Sequence, residues 1–252
     1  MTTSDHKETA PAVEVRGLNH FYGSHQVLRD INLVIEHGEI FGFLGHNGAG
    51  KTTTMSILTT LLRPTSGEVR VCGYDVVTRR LDVTRTIGYL PDSVRLYDHL
   101  SGTENLEFFG KLSGIPKPLE AAHETLRILD CADYADRRVG SYSTGMRQRV
   151  AIAQAIMHRP RVLFLDEPTT GLDPSGVRQL RDTIKLMNQQ LGMTIFMNTH
   201  LLSEVARVCT TIGVLNHGEL IYKDTIENTI SRFQDEASLE EIYLRLEDRV
   251  EA

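Results

Sequence analysis

Apolar residues fall first into short strand-like stretches, then into a long helical middle, and then into alternating strands and helices. Residues 1–12 are polar and end near a proline, which predicts a loose tail. From Val13 onward, the apolar stretches Val13–Leu18, Gln26–Leu28 and Ile31–Ile35 are separated by turn residues and read as strands. Ile40–Leu44 is a short unbroken apolar run, the mark of a strand buried on both faces. A glycine-rich loop follows, and a helix is expected from Lys51 to Leu62, ended by Pro64, Ser66 and Gly67. Strand character resumes at Glu68–Val71 and again at Thr86–Leu90, where Pro91 stops it.

Residues 93–159 lose strand character and read as helical. Thr103, Glu104 and Asn105 open one helix, Pro116 and Pro118 separate it from a second over Leu119–Leu129, and a third starts after Ser143 and runs to about His158. Strands return at Val162–Leu165, Thr194–Met197 and Thr211–Leu215, with helical stretches between them. Between residues 238 and 250, Leu239, Ile242, Tyr243, Leu246 and Val250 recur at helical spacing. This predicts an amphipathic helix docked on its own domain, with a partner-binding helix as the alternative. The pattern is α/β with a helical insertion.

Composition narrows the function classes. The chain has 252 residues, enough for a large core without metal or disulfide staples. A net charge of −6 argues against a field that gathers nucleic acid, so no nucleic-acid partner is expected. Cys72, Cys131 and Cys209 lie far apart without metal or redox spacing, and packed, reduced thiols in a cytoplasmic protein are expected. The N-terminal stretch lacks the apolar run of a signal peptide, and the segment 186–203 is too polar to cross a membrane. Met187, Met193 and Met197 read as core, and Arg79-Arg80 and Arg137-Arg138 as solvated faces.

Gly45, His46, Asn47, Gly48, Ala49, Gly50, Lys51 and Thr52 fit G-x-x-x-x-G-K-[ST] in full, between a buried strand and a helix. Glycines let the backbone fold tightly with its N–H groups aimed at phosphates, and the helix N-terminus adds partial positive charge. Lys51 suits the β- and γ-phosphates and Thr52 suits Mg²⁺, with Thr53 beside it. His46 reads as a solvent-facing spacer within this ATP-binding loop. Downstream, Val162–Leu165 delivers Asp166 and Glu167 to the C-terminal end of a strand, where ligands of open α/β sheets sit. Asp166 suits Mg²⁺, and Glu167 suits a general base for an attacking water.

The residues between these motifs carry a family resemblance. Tyr142, Ser143, Thr144, Gly145 and Met146, continued by Arg147, Gln148 and Arg149, resemble the signature segment of ABC ATPases, usually Leu-Ser-Gly-Gly-Gln. Ser143 and Gly145 are kept and the other three positions depart. Gly171, Leu172, Asp173 and Pro174 resemble the D-loop, His200 resembles the switch histidine, and Tyr22 stands where the family stacks an aromatic on adenine. Asp92 occupies the position where the family usually has glutamine. The resemblance covers about residues 13–222, leaving 223–252 as a C-terminal helical segment.

The resemblance implies a P-loop NTPase (RecA-like) core with a small antiparallel β subdomain and a helical subdomain inserted at about 93–159. It implies ATP and Mg²⁺ as cofactors, with Thr52, Asp166 and Asp92 toward the metal and Glu167, His200 and Asp92 toward catalysis. Ser143, Thr144, Gly145, Met146 and Asp173 are implied to contact ATP held by a second copy, in a head-to-tail dimer. The implied activity is ATP hydrolysis powering an ABC transporter through a separate membrane-spanning permease on the cytoplasmic face. The strings from Tyr142 to Arg149 and from Gly88 to Asp92 look like the exporter subgroup that moves drugs, antibiotics, lipids or polysaccharides. A soluble ABC ATPase acting on nucleic acid or ribosomes, and an ATP-binding regulator without turnover, are the alternatives.

Overall fold

The computed structural model of the chain describes residues 10–93, 95–199, 201–233, 236 and 238–251, the last five by backbone alone. In chain order, β1 (Val13–Tyr22), β2 (His25–Ile35) and β3 (Ile40–Leu44) precede α1 (Lys51–Leu58). Next come β4 (Ser66–Val71), the short β5 (Tyr74–Asp75), α2 (Arg80–Thr86) and β6 (Ile87–Leu90). Three helices follow, α3 (Gly102–Leu112), α4 (Pro118–Ile128) and α5 (Thr144–Ile156). Then β7 (Val162–Asp166), α6 (Pro174–Leu191), β8 (Thr194–Asn198), α7 (Leu202–Val208) and β9 (Thr211–Asn216) alternate. Last are β10 (Glu219–Thr225), α8 (Ile226–Arg232) and α9 (Leu239–Glu251).

One sheet is antiparallel, in the order β2-β1-β4-β5. The other runs β10-β9-β3-β8-β7-β6 and is parallel except for its edge strand β10. Its inner strands β3, β7, β8 and β9 are buried at every position, which is why they appear in the sequence as unbroken apolar runs. Alternation sorts their side chains between two core clusters. Phe41, Phe43, Phe164 and Phe196 pack toward α1 and the antiparallel sheet, with Phe196 5.3–5.5 Å from the other three rings. Ile40, Leu44, Leu163, Leu165, Ile195 and Met197 pack the opposite way, against α5 and α6. Gly42 breaks the run because a Cβ there would sit 2.9 Å from the Cys209 sulfur.

The structure departs from the sequence pattern where side chains and backbone override it. Helix α1 stops at Leu58 rather than Leu62. Thr60 takes a left-handed φ of 66°, and the Leu61 and Thr60 amides donate to the Ser56 and Ile57 carbonyls. This is a Schellman stop built without glycine, so the sequence carries no ordinary sign of it. Residues 95–100 are irregular rather than helical. Fully buried Asn105 explains this: its Oδ1 accepts from the Tyr97 amide at 2.8 Å, and its Nδ2 donates to the Tyr97 and Ser101 carbonyls. Helix α3 then starts on a Ser101–Glu104 capping box. A short helix, α2, covers residues 80–86, so Thr86 ends a helix rather than opening a strand. Strand β10 continues past residue 222 to Thr225. Helix α9 docks on its own chain through Leu239, Ile242 and Leu246, all buried, while the side chain of Val250 lies outside the described residues. Met187, Met193 and Met197 are core, and the three cysteines are free and buried.

Candidate nucleotide site

The loop after β3 is shaped by what surrounds it. Gly50, at φ 110°, caps α1, and a Cβ there would lie 2.6 Å from the Leu28 side chain. Buried Lys51 extends along the loop, its Nζ donating to the carbonyls of Gly45 at 2.6 Å and His46 at 3.1 Å. The expectation that His46 faces solvent as a spacer is corrected. Its ring is half-buried, with Nδ1 2.8 Å from the Asn47 carbonyl and Nε2 3.1 Å from Asn216 Oδ1, and it lies 4.9 Å from the His217 ring. The tight turn at His217 and Gly218 causes this, because the Gly218 amide donates to the Ala49 carbonyl and draws the β9–β10 turn onto the loop. Asn216, His217 and Gly218 were not foreseen as loop supports; the Asn-His-Gly turn signal was visible, but its contact with the loop was not.

A cavity of about 380 Å³ brings Tyr22, Asn47, Gly48, Gly50, Lys51, Thr52, Thr53 and Glu167 together, with Asn198 at its floor. Tyr22 is 53% exposed, its ring roughly perpendicular to that of His20, so much of it is free to meet a planar group.

Asp166 ends β7 and pairs in register with Asn198 on β8, whose Nδ2 donates to Asp166 Oδ1 at 2.6 Å. Burial pushes the Asp166 carboxyl above the usual carboxylate range; the Asn198 bond and the Lys51 ammonium oppose the push, while Asp92 and Glu167 add to it. Exposed Asp92, just past β6, is therefore close enough to act on the buried acid. Burial, with Asp166 and Asp92, also raises the Tyr89 phenol to about 12. Glu167 holds a left-handed φ of 47°, locked by its amide donating to the Asn198 carbonyl at 2.9 Å. A non-glycine residue in that region costs about 1–3 kcal/mol and marks a functional turn. Asn198, which touches both acids, was not singled out from the sequence, where its amide carries no spacing signal. The expected catalytic His200 lies outside the described residues.

The signature residues lie elsewhere. Ser143 caps α5, accepting from the Met146 amide at 3.2 Å, as its place before a helix predicted. Asp173 caps α6 by accepting from the Gly176 amide at 2.7 Å. Ser143, Thr144, Gly145, Met146 and Asp173 line a separate cavity of about 480 Å³, and among the described residues none lines both this cavity and the one at the phosphate loop. Two links tie α5 to its surroundings. Gln148 donates to the Pro168 carbonyl beside Glu167, and Arg147 pairs with Asp98 at 2.6 Å.

A parallel sheet with a phosphate loop after its central strand, and an acid pair two strands away, defines a P-loop nucleoside triphosphatase. A family profile described as ABC transporter matches residues 28–170. The bacitracin transport ATP-binding protein of Bacillus licheniformis is 37% identical over 209 residues, covering 83% of this chain and 68% of that protein. The daunorubicin resistance ATP-binding protein of Streptomyces coeruleorubidus is 38% identical over 218 residues, covering 86% and 69%. A solved structure of an ATP-binding subunit of an ABC transporter superposes with a TM-score of 0.80 at 29% identity, covering 93% of this chain and 99% of that one. The chain belongs to the ABC transporter family as an ATP-binding subunit, an ATPase coupled to transport.

Proposed function

We propose that two copies of this protein close head to tail around two ATP molecules and drive a separate membrane-spanning permease in export. The separation of the phosphate-loop cavity from the signature cavity within one chain carries the pairing. Ser143 spends one lone pair on its cap and keeps its hydroxyl proton to donate to a phosphate presented by the other copy. Thr144, Gly145 and Met146 add a helix N-terminus to that contact, with Asp173 beside them. Within each copy, Tyr22 stacks on adenine. Gly45, His46, Asn47, Gly48, Ala49 and Gly50 wrap the phosphates, with Lys51, Thr52 and Thr53 at the start of α1.

A divalent cation suits the acids here. Asp166 is repelled by both Asp92 and Glu167, a charge that a divalent cation would offset. That suits Mg²⁺, which keeps water and phosphate oxygens as most of its ligands. Thr52 and Asp166 would hold it, with Asp92 acting through water, and it would neutralise charge on the phosphates. Glu167 takes the proton of the attacking water, and His200 contacts the γ-phosphate.

Export is supported by the bacitracin-transport and daunorubicin-resistance relatives. None of the helices among the described residues is long and apolar enough to cross a membrane; the ATP-binding-protein relatives support a separate permease, with this chain at the cytoplasmic face. A groove lined by α2 and by the α3–α4 turn, with Leu81 73% and Leu112 69% exposed, offers that permease an apolar seat.

Mixing tests the pairing. Ser143→Ala should bind ATP as a monomer nearly like the parent but be impaired in dimerisation and turnover, and Lys51→Ala should bind ATP far more weakly. Combined, the two should regain part of the activity, since a mixed dimer holds one intact composite site. Loss of monomer binding in the Ser143 variant would overturn the shared interface. Asp92→Asn tests the link to the permease. ATP affinity should stay within a few-fold, while permease-stimulated hydrolysis in a bilayer falls by roughly 5- to 150-fold. Unchanged stimulation would reduce Asp92 to a turn residue.

A further inference from the structure

Glu167 and Asn47 also border a second cavity, of about 480 Å³, that Tyr22 and Thr52 do not line. Gly45, His46, Thr170 and Thr199 form much of its wall, and one further wall comes from the distant end of the chain, Tyr243 on α9. Helix α9 is firmly seated there. Leu239, Ile242 and Leu246 are buried in the larger core cluster, and the helix packs against α7 and β10. Arg245 adds an ion pair to Glu236 at 2.7 Å and stands over the Phe233 ring.

Leu202, the first residue of α7, lines the same cavity as Tyr243. Thr199, fully buried, sits at the other end of the connection from β8 to α7, and its Oγ1 accepts from the Leu201 amide at 3.2 Å. Half-buried Tyr243 thus lines one cavity together with this connection, the start of the phosphate loop and the acid, on a helix packed against α7. Among the described residues, none on α9 lines the nucleotide cavity itself.

We propose that Tyr243 is a positioning residue for hydrolysis: docked α9 braces the β8–α7 connection against Glu167 and the phosphate loop, so the C-terminal helix sets the turnover rate without touching ATP. The inference rests on Glu167 being the general base. A hydrolysis site that depends on a helix near the end of the chain is open to control by whatever lifts that helix.

The test is a kcat-against-KM split in the full chain, with direct ATP binding measured alongside. Tyr243→Ala should lower kcat by roughly 10- to 100-fold, as expected for a small misplacement at a reacting centre, and leave ATP affinity and KM unchanged. Tyr243→Phe should restore most of the rate, because the ring does the bracing. Leu246→Ala loosens α9 from outside the cavity and should lower kcat in the same way, so the proposal does not depend on one variant folding. Leu244→Ala, at a 58% exposed position on α9, should turn over like the parent. Parent kcat in Tyr243→Ala, whatever Leu246→Ala does, or a loss of ATP affinity matching the loss of rate, would overturn it. Glu167→Gln measured in parallel separates the two ideas. If that variant is inactive while the α9 variants are not, this inference alone fails; if it hydrolyses ATP normally, the assignment of the base fails.

Discussion

Replacing Glu167 with glutamine should slow ATP hydrolysis by roughly 10²–10⁴-fold while ATP still binds, the range a positioned general base contributes. Glutamine keeps the size of the side chain but cannot take a proton from water. The strained backbone of the turn should survive, because the bond from the Glu167 amide to the Asn198 carbonyl does not involve the side chain. Losing the charge also removes one of the two carboxylates that push Asp166 upward, so Asp166 holds its own charge more readily and metal binding does not suffer. Single-turnover hydrolysis beside an ATP titration separates the two effects, and sedimentation should show an ATP-bound dimer accumulating. Hydrolysis at the parent rate would remove Glu167 from the reaction.

The second large effect is expected on binding. Lys51→Ala should weaken ATP by roughly 10²–10⁴-fold, since hydrogen bonds to charged groups contribute about 1.5–3 kcal/mol each and at least two would be lost to the phosphates. Its Nζ already lies inside the loop, where it bridges the carbonyls of Gly45 and His46. The same substitution removes the ammonium from the Gly45 carbonyl, while the His46 carbonyl still accepts from the Ala49 amide, so a modest fall in Tm should accompany the loss of affinity. Calorimetric titration with ATP, together with a thermal melt, measures both. Affinity within ten-fold of the parent would show that the loop amides and helix end hold the phosphates without the ammonium.

Both expectations start from residues legible in the sequence. The phosphate loop, the Asp166-Glu167 pair and the Ser143 helix cap each sit on a local signal: an apolar run, a glycine pattern, a hydroxyl before a helix. Such signals are read over about ten residues, because short-range backbone geometry produces them. Period-two sorting of Phe41, Phe43, Phe164 and Phe196 against Ile40, Leu163 and Ile195 likewise follows from the pleat, although both faces are apolar and the sequence alone does not say which face meets which layer.

Other features escaped because their causes are long-range. Thr60 ends α1 in a conformation that glycine usually marks. Asn105 holds residues 95–100 out of a helix through bonds made only once the chain has folded back. His46 is pinned by Asn216 and His217, far along the chain. Asn198 reaches Asp166 only because β8 lies between β3 and β7.

By itself, the sequence determined the α/β class, the phosphate loop, the acid pair and, through the segment from Tyr142 to Arg149, the family resemblance, since each rests on residues adjacent in the chain. Only the tertiary structure decided that the signature residues and the phosphate loop face different cavities, that the β9–β10 turn supports the loop, and that α9 brings Tyr243 to a cavity that Glu167 also lines. Those relations join residues tens to hundreds of positions apart, and strand order and helix docking, rather than any local preference, set the distances between them.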